Sequence, residues 1–215
     1  MNDQLSTTQK GNSHSGQLPQ RVAIAIAAQQ DAGERLVGWF QLAVVLLFGF
    51  LSLISQKTFS TDSTFALVPW FLAVYLILTV ARLVLAHRSR MSAPLLYLSV
   101  LIDMGLLLGM IWTFHIQYQQ PPSFYLKSPT LLYVFIFIAL RALRFEARYV
   151  IAAGIVAAAG WTAMAAYAAV ASGGREMITK NYVAYLTSNS ILIGAEFDKI
   201  ITILTVTAVI ADRKS

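Results

Sequence analysis

Six stretches of this chain are long, apolar and nearly free of charge, and they restrict its folding more than any motif does. They run over Val37–Ser55, Phe65–Ala86, Pro94–Ile116, Thr130–Leu143, Tyr149–Ala171 and Ser190–Ala211. A helix needs about 20 mostly apolar residues to cross a bilayer. Inside lipid every backbone polar group must be paired within the protein, which a helix achieves with its own residues. The spacing therefore predicts an all-α, polytopic transmembrane helical bundle of about six spans. The fourth stretch is the shortest, because Arg141 and Arg144 close its apolar run. Those arginines can snorkel to the interface, and the helix can begin near Lys127.

Composition agrees. Of the 215 residues 57% are hydrophobic and 12% charged, against roughly 25% charged in a soluble domain. So few charges cannot coat a water-facing surface. The net charge of +6 comes from basic residues scattered at helix ends. In a membrane protein that pattern reports topology and contact with anionic lipid, not nucleic acid. No cysteine is present, which removes disulfides, thiolate metal sites and cysteine nucleophiles.

Lys and Arg beside the spans set the orientation. Eleven fall on the side shared by the N-terminal segment (Lys10, Arg21, Arg35), Arg82, Arg88, Arg90, Arg141, Arg144, Arg148, Arg213 and Lys214. Four fall opposite: Lys57, Lys127, Arg175 and Lys180. Both termini are expected in the cytoplasm, with the chain multi-pass in a bacterial inner membrane. Residues 1–36 read as a polar tail and a short helix from about Arg21, lying on the membrane surface or leading straight into the first span. Residues 37–211 form the six-helix domain, and 212–215 a short cytoplasmic end. Turn formers occupy the connections at Ser60–Ser63, Pro121-Pro122 and Ser172–Gly174.

The fifth span is built largely of small residues. Gly154, Ala158 and Gly160 lie where helix backbones can approach closely. Packing within the bundle explains that stripe, and so does a homodimer interface.

Chemistry inside a bilayer would reside in its ionisable groups, which are costly there and usually face the bundle interior. Asp103 lies in the third span, and Glu196, Asp198 and Lys199 in the sixth. At 1.5 Å per residue, Asp103 is about 14 Å from its inner end and Lys199 about 15 Å from its outer end. An Asp103–Lys199 pair at matching depth is consistent with this, as is a Glu196–Lys199 pair three residues apart. Arg82, near the inner end of the second span, is a further partner if it points inward. Three readings stand: a proton-, cation- or ligand-sensing site, a salt bridge that fixes the sixth helix, or a sixth span shifted so that Glu196–Lys199 sits at the outer interface.

His115 reads as an outer-interface residue, and His87 and His14 have no facing partner for haem. The aromatic connection Gln117–Pro129 fits a membrane belt. No phosphate loop, zinc spacing or nucleophile constellation occurs. The chain is expected to carry no catalytic residues, no metal and no cofactor.

Three strings go further. Pro121-Pro122-Ser123-Phe124-Tyr125-Leu126-Lys127, the run from Tyr133 through Arg141-Ala142-Leu143-Arg144-Phe145-Glu146, and Ile193-Gly194-Ala195-Glu196-Phe197-Asp198-Lys199 within Thr187–Ile201 resemble the N-terminal membrane domain of proteobacterial class III adenylate/guanylate cyclases. The resemblance covers nearly the whole chain from the Arg21 region onward. It implies a membrane anchor and sensor preceding a cytoplasmic domain that converts ATP to cyclic AMP and pyrophosphate with two divalent metal ions. The sequence departs from that family by stopping at Ser215, so the metal-binding aspartates of a cyclase have no counterpart. Asp103, Glu196 and Asp198 do not replace them. The expectation is a non-catalytic, truncated module whose partners are the lipid bilayer, a second copy of itself, or a cyclase domain in a full-length relative. The alternatives are a small transporter or channel using the Asp103/Glu196/Asp198/Lys199 cluster, and a non-functional remnant.

Overall fold

The computed structural model describes residues 20–54, 67–88, 92–143 and 146–213. The polar tail and the Ser60–Ser63 connection lie outside these residues. The described structure is helical, and its one extended pairing is an isolated bridge between Ile178 and Ile191. Helix α1 spans Gln20–Ile54, α2 Leu67–Arg88, α3 Ala93–Gln117, α4 Leu132–Ala142, α5 Ala147–Ala171, α6 Tyr182–Thr187 and α7 Ile193–Asp212.

Of the two arrangements expected for the leading helix, the structure has the straight lead-in, since α1 continues unbroken through residue 36 for 35 residues. That is about 50 Å of helix, well beyond a hydrocarbon core of about 30 Å. Its apolar part begins at Asp31. The span count is matched only in part. Four helices are long and apolar enough to cross a membrane: Asp31–Ile54, Val68–Arg88, Ala93–Gln117 and Ala147–Ala171. The fourth expected span becomes a 3-10 lead-in, Pro129–Leu131, and the 11-residue α4. Helix α4 alone is only about 16 Å long. The last expected span, α7, has 20 residues but carries Glu196, Asp198 and Lys199 in its first two turns.

The ends of the helices follow local chemistry. Pro94 occupies the first turn of α3, where its missing N–H costs nothing. Beyond α3, Gln119 takes a left-handed φ of 50°, and Pro122–Lys127 forms a 3-10 turn. Helix α5 stops where Gly173 adopts φ 110°, a conformation that a side chain would strain. Asn181 caps α6 by accepting from the amides of Val183 and Ala184 at 2.9 and 3.3 Å.

Helix α5 sits centrally, packed against α3, α4 and α7, while α1 and α2 pair beside α3. Trp161, Val134, Ile138, Ile111 and Ile203 are fully buried around it. The outer surface is also apolar: Leu53 is 82% and Val170 79% exposed. Apolar faces of that extent mark surfaces covered by lipid or by another protein.

The small-residue stripe is used within the chain. A Cβ on Gly154 would come within 2.6 Å of the Thr207 Cβ, so only hydrogen lets α5 and α7 approach there. Ala158 is buried. A Cβ on Gly160 would collide with the Leu108 Cδ1 of α3.

Candidate functional site

Two groups of buried ions stand at opposite ends of the bundle. The first joins α1, α2, α3 and α4. Helix α1 contributes Glu34 and Gln41, seven residues apart and so on one face. Helix α2 contributes Arg82, α3 Ser99 and Asp103, and α4 Arg141 from its last turn. All six are at least nine-tenths buried.

Arg82 is the hub. Its Nη2 donates to Glu34 Oε2 at 2.8 Å, and its Nη1 to Gln41 Oε1 at 2.6 Å and Asp103 Oδ2 at 3.0 Å. The same Asp103 oxygen accepts from Gln41 Nε2 at 2.6 Å and from Arg141 Nη2. Arg141 Nη1 reaches Ser99 Oγ at 3.4 Å. Among the described contacts two guanidinium groups thus face two carboxylates. The pairing matters, because one unpaired charge in such surroundings costs several kcal/mol, on the order of 3–5 when a partner is removed.

The second group lies where α7 begins. Glu196 Oε1 accepts from Lys199 Nζ at 2.8 Å, and Glu196 Oε2 from Trp161 Nε1 of α5 at 3.0 Å. Lys199 also donates to the Leu126 carbonyl at 2.6 Å and sits 5.2 Å from the Trp161 ring centroid. The start of α7 is therefore clasped both to α5 and to the 3-10 turn Pro122–Lys127. Around it, Tyr125 donates to the Met164 carbonyl at 2.7 Å. Lys127 donates to the Ser188 carbonyl and lies 4.9 Å from the Tyr185 ring centroid. Burial, reinforced by Glu196 and Tyr182, pushes the Tyr185 phenol up to about 12. Burial and the neighbouring Lys199 lower the Lys127 ammonium below its usual range, with Glu196 opposing.

The residues singled out in the sequence therefore divide. Asp103 and Arg82 meet, and Glu196 and Lys199 meet. Asp103 takes Arg82 and Arg141 as its cations, whereas Lys199 takes Glu196, so the Asp103–Lys199 pair does not form. Asp198 is exposed and belongs to neither group. Sequence reasoning does not find Glu34, Gln41 and Arg141. Glu34 falls in the segment before the first span, and Arg141 reads as an interface residue that closes the fourth apolar run. The signal available for the first two was their seven-residue spacing on one helix face. His115 is buried in the last turn of α3, with its ring 5.4 Å from that of Tyr125 and 5.0 Å from that of Trp112. Among the described residues no cluster of three or more His, Asp or Glu side chains is placed to hold a metal ion.

No family model matches the chain, and neither the curated proteins nor the solved structures contain a significant match.

Proposed function

We propose that this chain is a membrane-embedded anchoring and sensory module of the kind that precedes the catalytic domain in class III adenylate cyclases. On this reading the four long apolar helices are joined by α4, lengthened by its lead-in to Pro129–Ala142, and by α7, completing six passes. Both ends face the cytoplasm, by the excess of Lys and Arg on that side, in a bacterial inner membrane. The chain catalyses nothing by itself.

The observation that carries the reading is the attachment of α7. Its first turn is held by Glu196, Lys199 and Trp161, and farther along Thr207 meets Gly154. Both points lie on one helix of 20 residues, about 30 Å long. A change that loosens the outer clasp would therefore move the inner end of α7 as a unit. In the resembled family that end continues into the output domain. A signal acts by binding one of two helix arrangements better than the other.

A chimera tests this. A class III cyclase domain is joined after Ser215, and cyclic AMP formation is followed in vesicles. Lys199→Met and Glu196→Gln should each change output at least several-fold at equal protein level, while the exposed Asp198→Asn should not. Equal output from all four proteins would remove the sensory reading.

Transport by the buried charges is the competing reading. Between Asp103 and the outer clasp, however, stand the buried apolar residues Met104, Leu107, Leu108, Ile111 and Phe137, which offer a permeating ion no ligands. Flux in proteoliposomes that Asp103→Asn abolishes would reverse this preference.

A further inference from the structure

Helices α2 and α3 part on the lipid-facing side of the inner charge group. The cleft between them has a volume of about 140 Å³. Its walls are Leu78 and Leu85 from α2 and Leu95 and Leu98 from α3, and its polar lining includes Arg82 and Asp103. All four leucines are exposed on the outer surface of the bundle. An aliphatic entrance thus leads from the hydrocarbon region to a buried guanidinium.

That guanidinium has one donor to spare. Nη1 and Nη2 of Arg82 are engaged by Gln41, Asp103 and Glu34, but its Nε is buried and has no acceptor among the described residues. A buried donor left without an acceptor costs on the order of 1–3 kcal/mol. An acceptor that enters the cleft and displaces the atoms covering Nε recovers that cost.

The surroundings select the kind of acceptor. The cleft is walled mainly by aliphatic side chains and opens toward the hydrocarbon region, so a carboxylate or phosphate entering it would have to shed its water at a heavy cost. A neutral carbonyl oxygen accepts the hydrogen bond and adds no charge. The volume, well below the roughly 300–1,000 Å³ of a complete ligand pocket, suits a head group whose tail stays in lipid along the exposed leucines.

We infer that the α2–α3 cleft binds the carbonyl group of a neutral apolar molecule, with Arg82 Nε as donor. Two membrane sources carry that chemistry: a quinone, and the acyl ester of a glycerolipid. Binding is a property of this chain alone, so it stands or falls separately from any effect on a following cyclase domain.

The test places the full chain in bilayers of dialkyl ether lipid, which has no ester carbonyl. Three probes are titrated: a benzoquinone with a ten-carbon tail, a diacyl phosphatidylethanolamine, and decanoate. Retained mass is read by native mass spectrometry. At least one carbonyl probe should be retained, and at least ten-fold more weakly by Leu98→Trp, which fills the cleft, and by Arg82→Lys, which keeps the charge but removes the Nε–H. Leu95→Trp replaces Leu98→Trp if the latter does not fold. Retention of the quinone alone names a quinone site, of the ester alone a lipid site, and of both the shared carbonyl chemistry. The inference is overturned if neither carbonyl probe is retained, if the variants retain them unchanged, or if decanoate binds more tightly than both.

Discussion

Arg82 Nη1 and Asp103 Oδ2 lie 3.0 Å apart, with both side chains less than a tenth exposed, and this contact joins the second and third helices inside the apolar bundle. Asp103 also takes Arg141, and Arg82 also takes Glu34. Four helices therefore share one set of charges, and removing any member unbalances the others.

Asp103→Asn leaves two arginines facing one carboxylate. The expected loss is about 3–5 kcal/mol of stability, read as a fall in the melting temperature of the detergent-solubilised protein. The double variant Asp103→Asn/Arg141→Met restores the charge balance and should recover part of the loss. A double variant as unstable as the sum of its singles would refute the coupling.

Gly154→Ala should destabilise the α5–α7 contact, because its methyl group would overlap the Thr207 side chain. Overpacking of this kind costs about 1–3 kcal/mol. Thr207→Gly, which also removes the Cβ, clears the space, so the pair of substitutions together should recover part of the lost melting temperature. Failure of that rescue would mean that α7 does not pack where described.

Trp161 reports on the clasp at the start of α7 through its hydrogen bond to Glu196. With Trp39, Trp70 and Trp112 replaced by Phe, its emission should shift in Glu196→Gln and in Lys199→Met but stay constant in Asp198→Asn. An identical spectrum in all four proteins would argue against the clasp.

Alkaline pH should loosen the region around α6 first. Tyr185 lies outside the long apolar helices, and burial raises its phenol from the ordinary 10.0 to about 12. Below pH 10 the phenol is neutral whether the chain is folded or not, and its contribution is fully present. Between 10 and about 12 only the unfolded phenol ionises, so stability falls as pH rises through that window. Lys127 acts in the opposite sense: its folded value is lowered, so its burden on the fold fades as pH approaches 10.5. Melting temperatures across the window should fall in the parent and fall less in Tyr185→Phe. Phenolate absorbance should show the delayed ionisation directly.

Much of the architecture was legible along the chain. The apolar runs located α2, α3 and α5 closely, because a bilayer imposes a length that hydropathy records. The run at Thr130–Leu143 was less informative. Its proline-bounded lead-in and its arginine were compatible with a full span or a short one. Of the inner charge group, Asp103 stood out and Arg82 was named as an inward-facing partner. Glu34 and Arg141 were not recognised, since each lies near an end of its apolar run, where a charge ordinarily reaches water.

The sequence by itself determined the solvent and the helical character: too few charges for water, and runs long enough to pair their own backbones in lipid. The tertiary structure decided which carboxylate meets which cation. Depth along two helices can be counted in residues, but pairing also depends on how each helix is rotated and where its short neighbour ends. Helix α4 stops after 11 residues, which brings Arg141 against Asp103. The first turn of α7 lies beside Trp161, which keeps Glu196 and Lys199 with each other.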